Sequence, residues 1–146
     1  MPVIPHRFRP LLAILPVLVP AALPAQVNDD FEDGDFTSAP AWAGDAALFT
    51  VADVSGDRML RSNSAGAATY ALSTPSALAT DARWEWFMDL RFATSGANYA
   101  DVYLISDEAV LTAAQNGWFG RIGGAADRVE LFKRVGGTNV SVLTSP

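Results

Sequence analysis

A chain of 146 residues, half of them apolar and 18% charged, has room for one packed core and not for several. It contains no cysteine, which excludes disulfides, thiolate metal sites and cysteine nucleophiles. Its formal net charge of −6 argues against nucleic acid as a partner, because an acidic surface repels phosphate.

Residues 1–25 have the organisation of a secretory signal peptide. Arg7 and Arg9 form a basic start, Leu11 to Val19 an apolar centre, and small residues lead to Ala25, a cleavage point before Gln26. Pro16, Pro20 and Pro24 interrupt a run already too short for the ~30 Å of a bilayer's hydrocarbon. The expectation is therefore a secreted or cell-surface protein with a mature domain over 26–146 and no membrane span in it. Removing the signal takes two of the ten basic residues and none of the sixteen acids, leaving 8 positive against 16 negative, a net charge of −8.

The mature chain opens on Asp29-Asp30-Phe31-Glu32-Asp33-Gly34-Asp35, five acids in seven residues. Crowded carboxylates repel one another unless a cation lies among them, and hard oxygen ligands suit Ca²⁺. The spacing is not that of an EF-hand, since Phe31 would fill a ligand position and Pro40 would stand in place of the closing Glu. A solvated acidic stretch is the competing explanation.

Short apolar runs punctuated by Gly, Ser, Asn and Asp then predict strands at Leu48–Ala52, Met59–Arg61, Ala67–Leu72, Arg83–Ala93, Tyr99–Ser106, Gly117–Ile122, Arg128–Val135 and Asn139–Leu143. Arg83–Phe92 is the most informative of them. One register carries Arg83, Glu85, Asp89 and Arg91, with Phe87 the exception, and the other is wholly apolar: Trp84, Trp86, Met88, Leu90 and Phe92. Successive strand residues face opposite ways, so one side is wet and the other needs a covering layer. That pattern predicts an all-β, antiparallel two-sheet sandwich. Its inward residues should include the apolar register just given together with Val102, Leu104, Ile122, Val129 and Leu131. Asp107 to Ala114 is the one candidate helix. Val129 to Val142 reads as a hairpin turning at Gly136-Gly137, where two positive φ angles are needed. The chain reaches Pro146 directly after its last strand, which suggests the amino-terminal part of a longer protein and a sandwich incomplete at its carboxy-terminal end.

Catalytic groupings are sparse. The only histidine, His6, lies in the signal segment, so the mature chain has neither a Ser-His-Asp triad nor a histidine metal ligand. Glu85 and Asp89, four apart on one strand face, would be about 13 Å apart, too far for a glycosidase pair. They fit a charged outer face with Arg83 and Arg91. Asn139-Val140-Ser141 matches a glycosylation sequon, and Gly120 to Gly124 is glycine-rich without the helix a phosphate loop needs. Exposed rings stack on the apolar faces of sugars, which makes Phe87, Tyr103 and Trp118 the candidate ligand contacts, with Trp42 and Tyr99 behind them. Phe87 and Tyr103 fall on the outward register of their strands.

The run Asp30 to Phe36, followed by Pro40-Ala41-Trp42 and Gly44-Asp45, and the later Asn98 to Asp107 and Asn116 to Gly124, resemble the amino-terminal domain of large secreted bacterial surface proteins, some of which carry lamin-tail modules. The resemblance covers Asp29 to the end. It implies a concanavalin A-like, laminin-G-like jelly roll that serves as a noncatalytic glycan-binding or adhesion module. In related sugar-binding jelly rolls a Phe-Glu-Asp-Gly segment helps hold structural calcium, which points to Glu32 and Asp30 as metal ligands. Two alternatives remain open at this stage: an accessory part of a secreted hydrolase whose catalytic residues lie beyond Pro146, and a structural spacer with no ligand.

Overall fold

The computed structural model describes residues 26–76, 78 and 82–146. The expected signal segment 1–25, with its expected cleavage point, lies outside the described residues. The chain is all-β with antiparallel sheets, an arrangement consistent with a β-sandwich. Its strands are β1 (Ala43–Gly44), β2 (Phe49–Val54), β3 (Asp57–Ser62), β4 (Leu72–Ser73), β5 (Tyr99–Ser106), β6 (Gly117–Gly123), β7 (Arg128–Val135) and β8 (Thr138–Thr144). A single 3-10 turn, Ala46–Leu48, is the only helical element among the described residues.

Two hairpins follow directly from turn chemistry. Ser55-Gly56 joins β2 to β3 with both residues at positive φ, and Gly136-Gly137 does the same between β7 and β8. The main body is a four-stranded meander in the order β5-β6-β7-β8. Its register places Tyr103, Phe119 and Phe132 side by side across β5, β6 and β7 on one face. On the opposite, aliphatic face the same registers line up Val102, Gly120, Leu131 and Leu143.

The core forms on the aromatic face. Phe119 is stacked between Tyr103 and Phe132, with ring centroids 4.9 and 5.1 Å away, and is 0% exposed. Gln115, 1% exposed, is the other fully buried large side chain among the described residues, and its Nε2 donates to the Leu111 carbonyl at 2.7 Å. The segment predicted as a helix, Asp107 to Ala114, is instead a loop from β5 to β6, with one local turn in which Ala113 N donates to Val110 O. Its ends are tied together, which removes any need for helical hydrogen bonds. Asp107 accepts from the backbone and side-chain nitrogens of Asn116, both at 2.7 Å.

The predicted strand Arg83–Ala93 is corrected: it has no regular secondary structure and joins no ladder, and an isolated Ser95–Asn98 bridge follows it. It lies over the aliphatic face. A Cβ placed on Gly120 would meet Trp86 Cζ2 at 3.6 Å, and one on Gly123 would meet Leu90 Cδ1 at 3.5 Å. The phase of the alternation survives, because Met88 and Leu90 are half-buried while Phe87 is 80% exposed. Full burial of the inward set does not. Trp84 and Trp86 remain 43% and 40% exposed, and Phe92 and Val129 are exposed as well. A single segment covers a four-stranded face only in part, so rings seated on it keep water on their far side. The predicted strand Ala67–Leu72 is likewise reduced to Leu72–Ser73, paired with β1.

Candidate functional site

The described surface has an open groove of about 440 Å³ where the ends of β5, β6 and β7 meet the 107–116 loop. Its apolar side is Trp118, Ile105 and Val135, and its polar side is Asp107, Asn116 and Lys133. Local sequence explains the shape. The register slips between Tyr103 and Ile105, inserting an extra residue into β5, and such a bulge bends the strand and redirects its end. Gly117 lets the two backbones close there, since a Cβ on it would stand 2.5 Å from the Ile105 carbonyl oxygen. The β6–β7 register then sets Lys133 opposite Trp118, with the ammonium 5.7 Å from the indole centroid.

Asp107 holds the groove's rim. The two donors from Asn116 keep its carboxyl below the ordinary carboxylate range, the side-chain donor contributing most and the backbone donor next. Asn116 in turn accepts from Gly136 N at 3.0 Å, tying the rim to the β7–β8 turn. The groove therefore combines a flat aromatic wall, a fixed carboxamide and carboxylate, and an ammonium, which are the groups that stack on and hydrogen-bond a polyol.

The three sequence-predicted contacts do not meet in one place. Trp118 lines the groove. Tyr103 belongs to the opposite face by the β5–β6 register; Phe119 covers one side of its ring and Arg134 Nη1 donates to its hydroxyl at 3.1 Å. Phe87, on the 82–92 segment, is 80% exposed, whereas Tyr103, expected on an outward register, is half-buried in the aromatic stack that forms the core. Tyr99 is occupied by the Arg121 guanidinium, 3.7 Å above its ring, and Arg121 is itself paired with both oxygens of Asp101 at 2.7 and 2.8 Å. That pair holds the Arg121 pKa above its ordinary value. Trp42 donates from Nε1 to Asp29 at 2.8 Å, a structural contact.

Lys133 and Asn116 were not singled out by sequence reasoning. Lys133 is the only lysine in the chain. The hairpin turning between β6 and β7 brings it opposite Trp118, so the signal lay in the register and not in any local motif.

In the acidic loop the carboxylates turn to their own backbone. Asp29, Asp30 and Asp33 each accept from the N–H two residues on, and Asp35 accepts from Thr37 N, Thr37 Oγ1 and Ser38 Oγ. The hydroxyl of Ser38 and then that of Thr37 lower the Asp35 pKa to about 2. Glu32 Oε1 accepts from Arg58 N, and Arg58 Nη1 donates to the Glu32 carbonyl, both at 3.0 Å. Charge repulsion in the loop is thus relieved by local donors and by a neighbouring arginine. Among the described residues no three acidic or histidine side chains converge in a way that would hold a metal ion. Glu85 and Asp89 pair with Arg83 and Arg91 at 2.8 and 2.6 Å, as a charged outer face requires.

No helix among the described residues is long and apolar enough to cross a membrane. Comparison with protein-family models, with curated proteins and with solved structures finds no match.

Proposed function

We propose that this chain is a secreted, noncatalytic glycan-binding or adhesion module of a surface protein, built on a concanavalin A-like jelly-roll sandwich. The observation that carries the reading is the Trp118 groove, where an indole wall faces Asp107, Asn116 and Lys133. Sugar recognition needs a flat apolar surface for the C–H face of a ring and fixed polar groups for its hydroxyls, and the groove supplies both. The noncatalytic part is supported by how the carboxylates are used. Asp101, Glu85, Asp89 and Glu130 are ion-paired, and both oxygens of Asp107 are taken by Asn116. Phe87, the most exposed aromatic named here, is a second point for sugar stacking on a separate surface.

A glycan array probed with the full chain and with Trp118→Ala, Phe87→Ala and Tyr103→Ala variants tests the proposal. Retention of a glycan that is lost in Trp118→Ala supports the groove. Loss in Phe87→Ala alone moves the site to the outer layer. No retention of any glycan overturns the reading in favour of a spacer. Structural calcium at Asp30 and Glu32 belongs to the same proposal and rests on the resemblance. A ligand confined to the folded state adds about 2.7 kcal/mol at 100 times its dissociation constant. Melting curves in calcium and in chelator should then separate by several degrees, and superimposed curves remove calcium from the account.

A further inference from the structure

We propose that the outer edge of β8 pairs with the same edge of a second copy of this chain, joining two meanders into one continuous antiparallel sheet about a two-fold axis at Val140. Proteins protect sheet edges, because a free row of N–H and C=O groups will pair with another strand. The other strands here are protected in recognisable ways. β1 and β4 are two residues long, and β2 and β3 carry Asp53, Asp57, Arg58 and Arg61. β5, at the opposite edge of the meander, is half-buried from Ala100 to Leu104 and bears Asp101. β8 is seven residues long, exposed at every position, and paired with β7 alone among the described residues. Thr138 to Ser145 contains no acid, base or proline. Its one irregularity is the bulge at Val142, and the four residues before it, Thr138 to Ser141, are in regular register with β7.

The charge pattern makes a second copy the occupant. A chain of net charge −6 repels its own kind, so copies can meet closely only where ionised groups are not set against one another. Every other strand of the meander carries some: Asp101 on β5, Arg121 on β6, and Arg128, Glu130, Lys133 and Arg134 on β7. Two β8 edges oppose none. The strand is also complementary to itself. With the two-fold at Val140, the two valines face each other on the aliphatic side, and on the other side each Asn139 stands across from a Ser141, a pair able to hydrogen-bond. The nearest like charges on that side, the two Lys133 ammonium groups, would be three strand spacings apart, about 14 Å, beyond the ~8 Å screening length of physiological salt. The β6–β7–β8 registers align Trp118, Lys133 and Val140 in one row, so the dimer sets two Trp118 grooves on one face, roughly 24 Å apart. Bivalent glycan capture by those grooves rests on the glycan-binding reading; the dimer itself does not.

The test is sedimentation velocity of the full chain over a concentration series, without glycan. The expected result is a monomer–dimer equilibrium. Val140→Lys, at a side chain already 51% exposed, should weaken it roughly tenfold or more by setting two ammonium groups face to face, with an unchanged melting curve. Phe87→Ser, on the 82–92 segment, should leave it unchanged. Because the chain has no cysteine, Val140→Cys supplies a second measurement. It should form a disulfide-linked dimer under mild oxidation at least about tenfold faster than Val110→Cys, whose site is 62% exposed in the 107–116 loop, since directly opposed β-carbons lie about 4.5–5.5 Å apart. A monomer at every concentration overturns the proposal. So does a dimer that Val140→Lys leaves intact, or one that Phe87→Ser dissociates in its place. Equal cross-linking rates for the two cysteine variants overturn the β8 pairing as well. Loss of every glycan from the array with the dimer intact would remove the groove's function and leave the edge pairing standing.

Discussion

The β5–β8 meander and the 82–92 segment have the same kind of sequence and different structures. Both alternate apolar and polar residues. The meander satisfies its backbone in ladders, whereas the segment lies against β6 outside any ladder, with Trp86 at Gly120 and Leu90 at Gly123. Alternation fixes which side chains face inward. It does not fix what the backbone pairs with. The turns decide that. Gly136-Gly137 hands β7 directly to β8, but at the Ser95–Asn98 turn Asn98 O accepts from Gly124 N, and the Asn98 side chain donates to Ala93 O. The preceding segment is thereby directed over the face and not along the edge of β5.

That contrast predicts where stability resides. Phe119→Ala, which empties the centre of the aromatic stack, should cost about 3–5 kcal/mol in urea unfolding. Trp86→Ala, removing a ring already 40% exposed, should cost much less, on the order of 1–2 kcal/mol. Equal losses would mean that the segment is as integral to the fold as the meander. Two glycine substitutions sharpen the comparison at single positions of β6. Gly117→Ala drives a Cβ to 2.5 Å from the Ile105 carbonyl and should destabilise by roughly 1–3 kcal/mol while distorting the groove. Gly120→Ala meets only Trp86, at an ordinary 3.6 Å, and should be close to neutral by the same denaturation measurement.

The smallest expected effect is on acid stability. Asp35 and Asp107 both have pKa values lowered in the folded state by their local donors. Each therefore binds a proton more readily when unfolded, and its contribution is present above the ordinary value of 3.8 and lost as pH falls through the folded one. For Asp35 that window runs from 3.8 down to about 2. Asp35→Asn should flatten the acid limb of a stability-against-pH curve over that interval, and an unchanged limb would remove Asp35 from the account.

Much of the meander was legible in the sequence because its information is local. Tyr99–Ser106 and Arg128–Val135 are strands over the predicted spans, and the Gly136-Gly137 turn is where positive φ was required. The core centre was less legible. Phe119 sits in a short glycine-flanked run and gains its importance only when the register sets Tyr103 and Phe132 beside it. The same holds for the groove. Trp118 was among the candidate aromatics, but Lys133 became its neighbour through pairing across a hairpin, and Asp107 and Asn116 found each other by closing a loop nine residues apart. The acidic loop was legible only in part, for a related reason. Its charge density was plain, while the backbone donors and Arg58 that absorb it depend on the folded conformation.

Amide hydrogen exchange followed residue by residue tests most directly whether the tryptophan segment is a covering layer or a fifth strand. Amides of 118–122 and 129–134, engaged in the ladders, should be the slowest in the chain, and those of 84–92 should exchange orders of magnitude faster despite their apolar neighbours. Protection in 84–92 matching that of β6, above all in an alternating pattern along the segment, would show a paired strand and contradict the account.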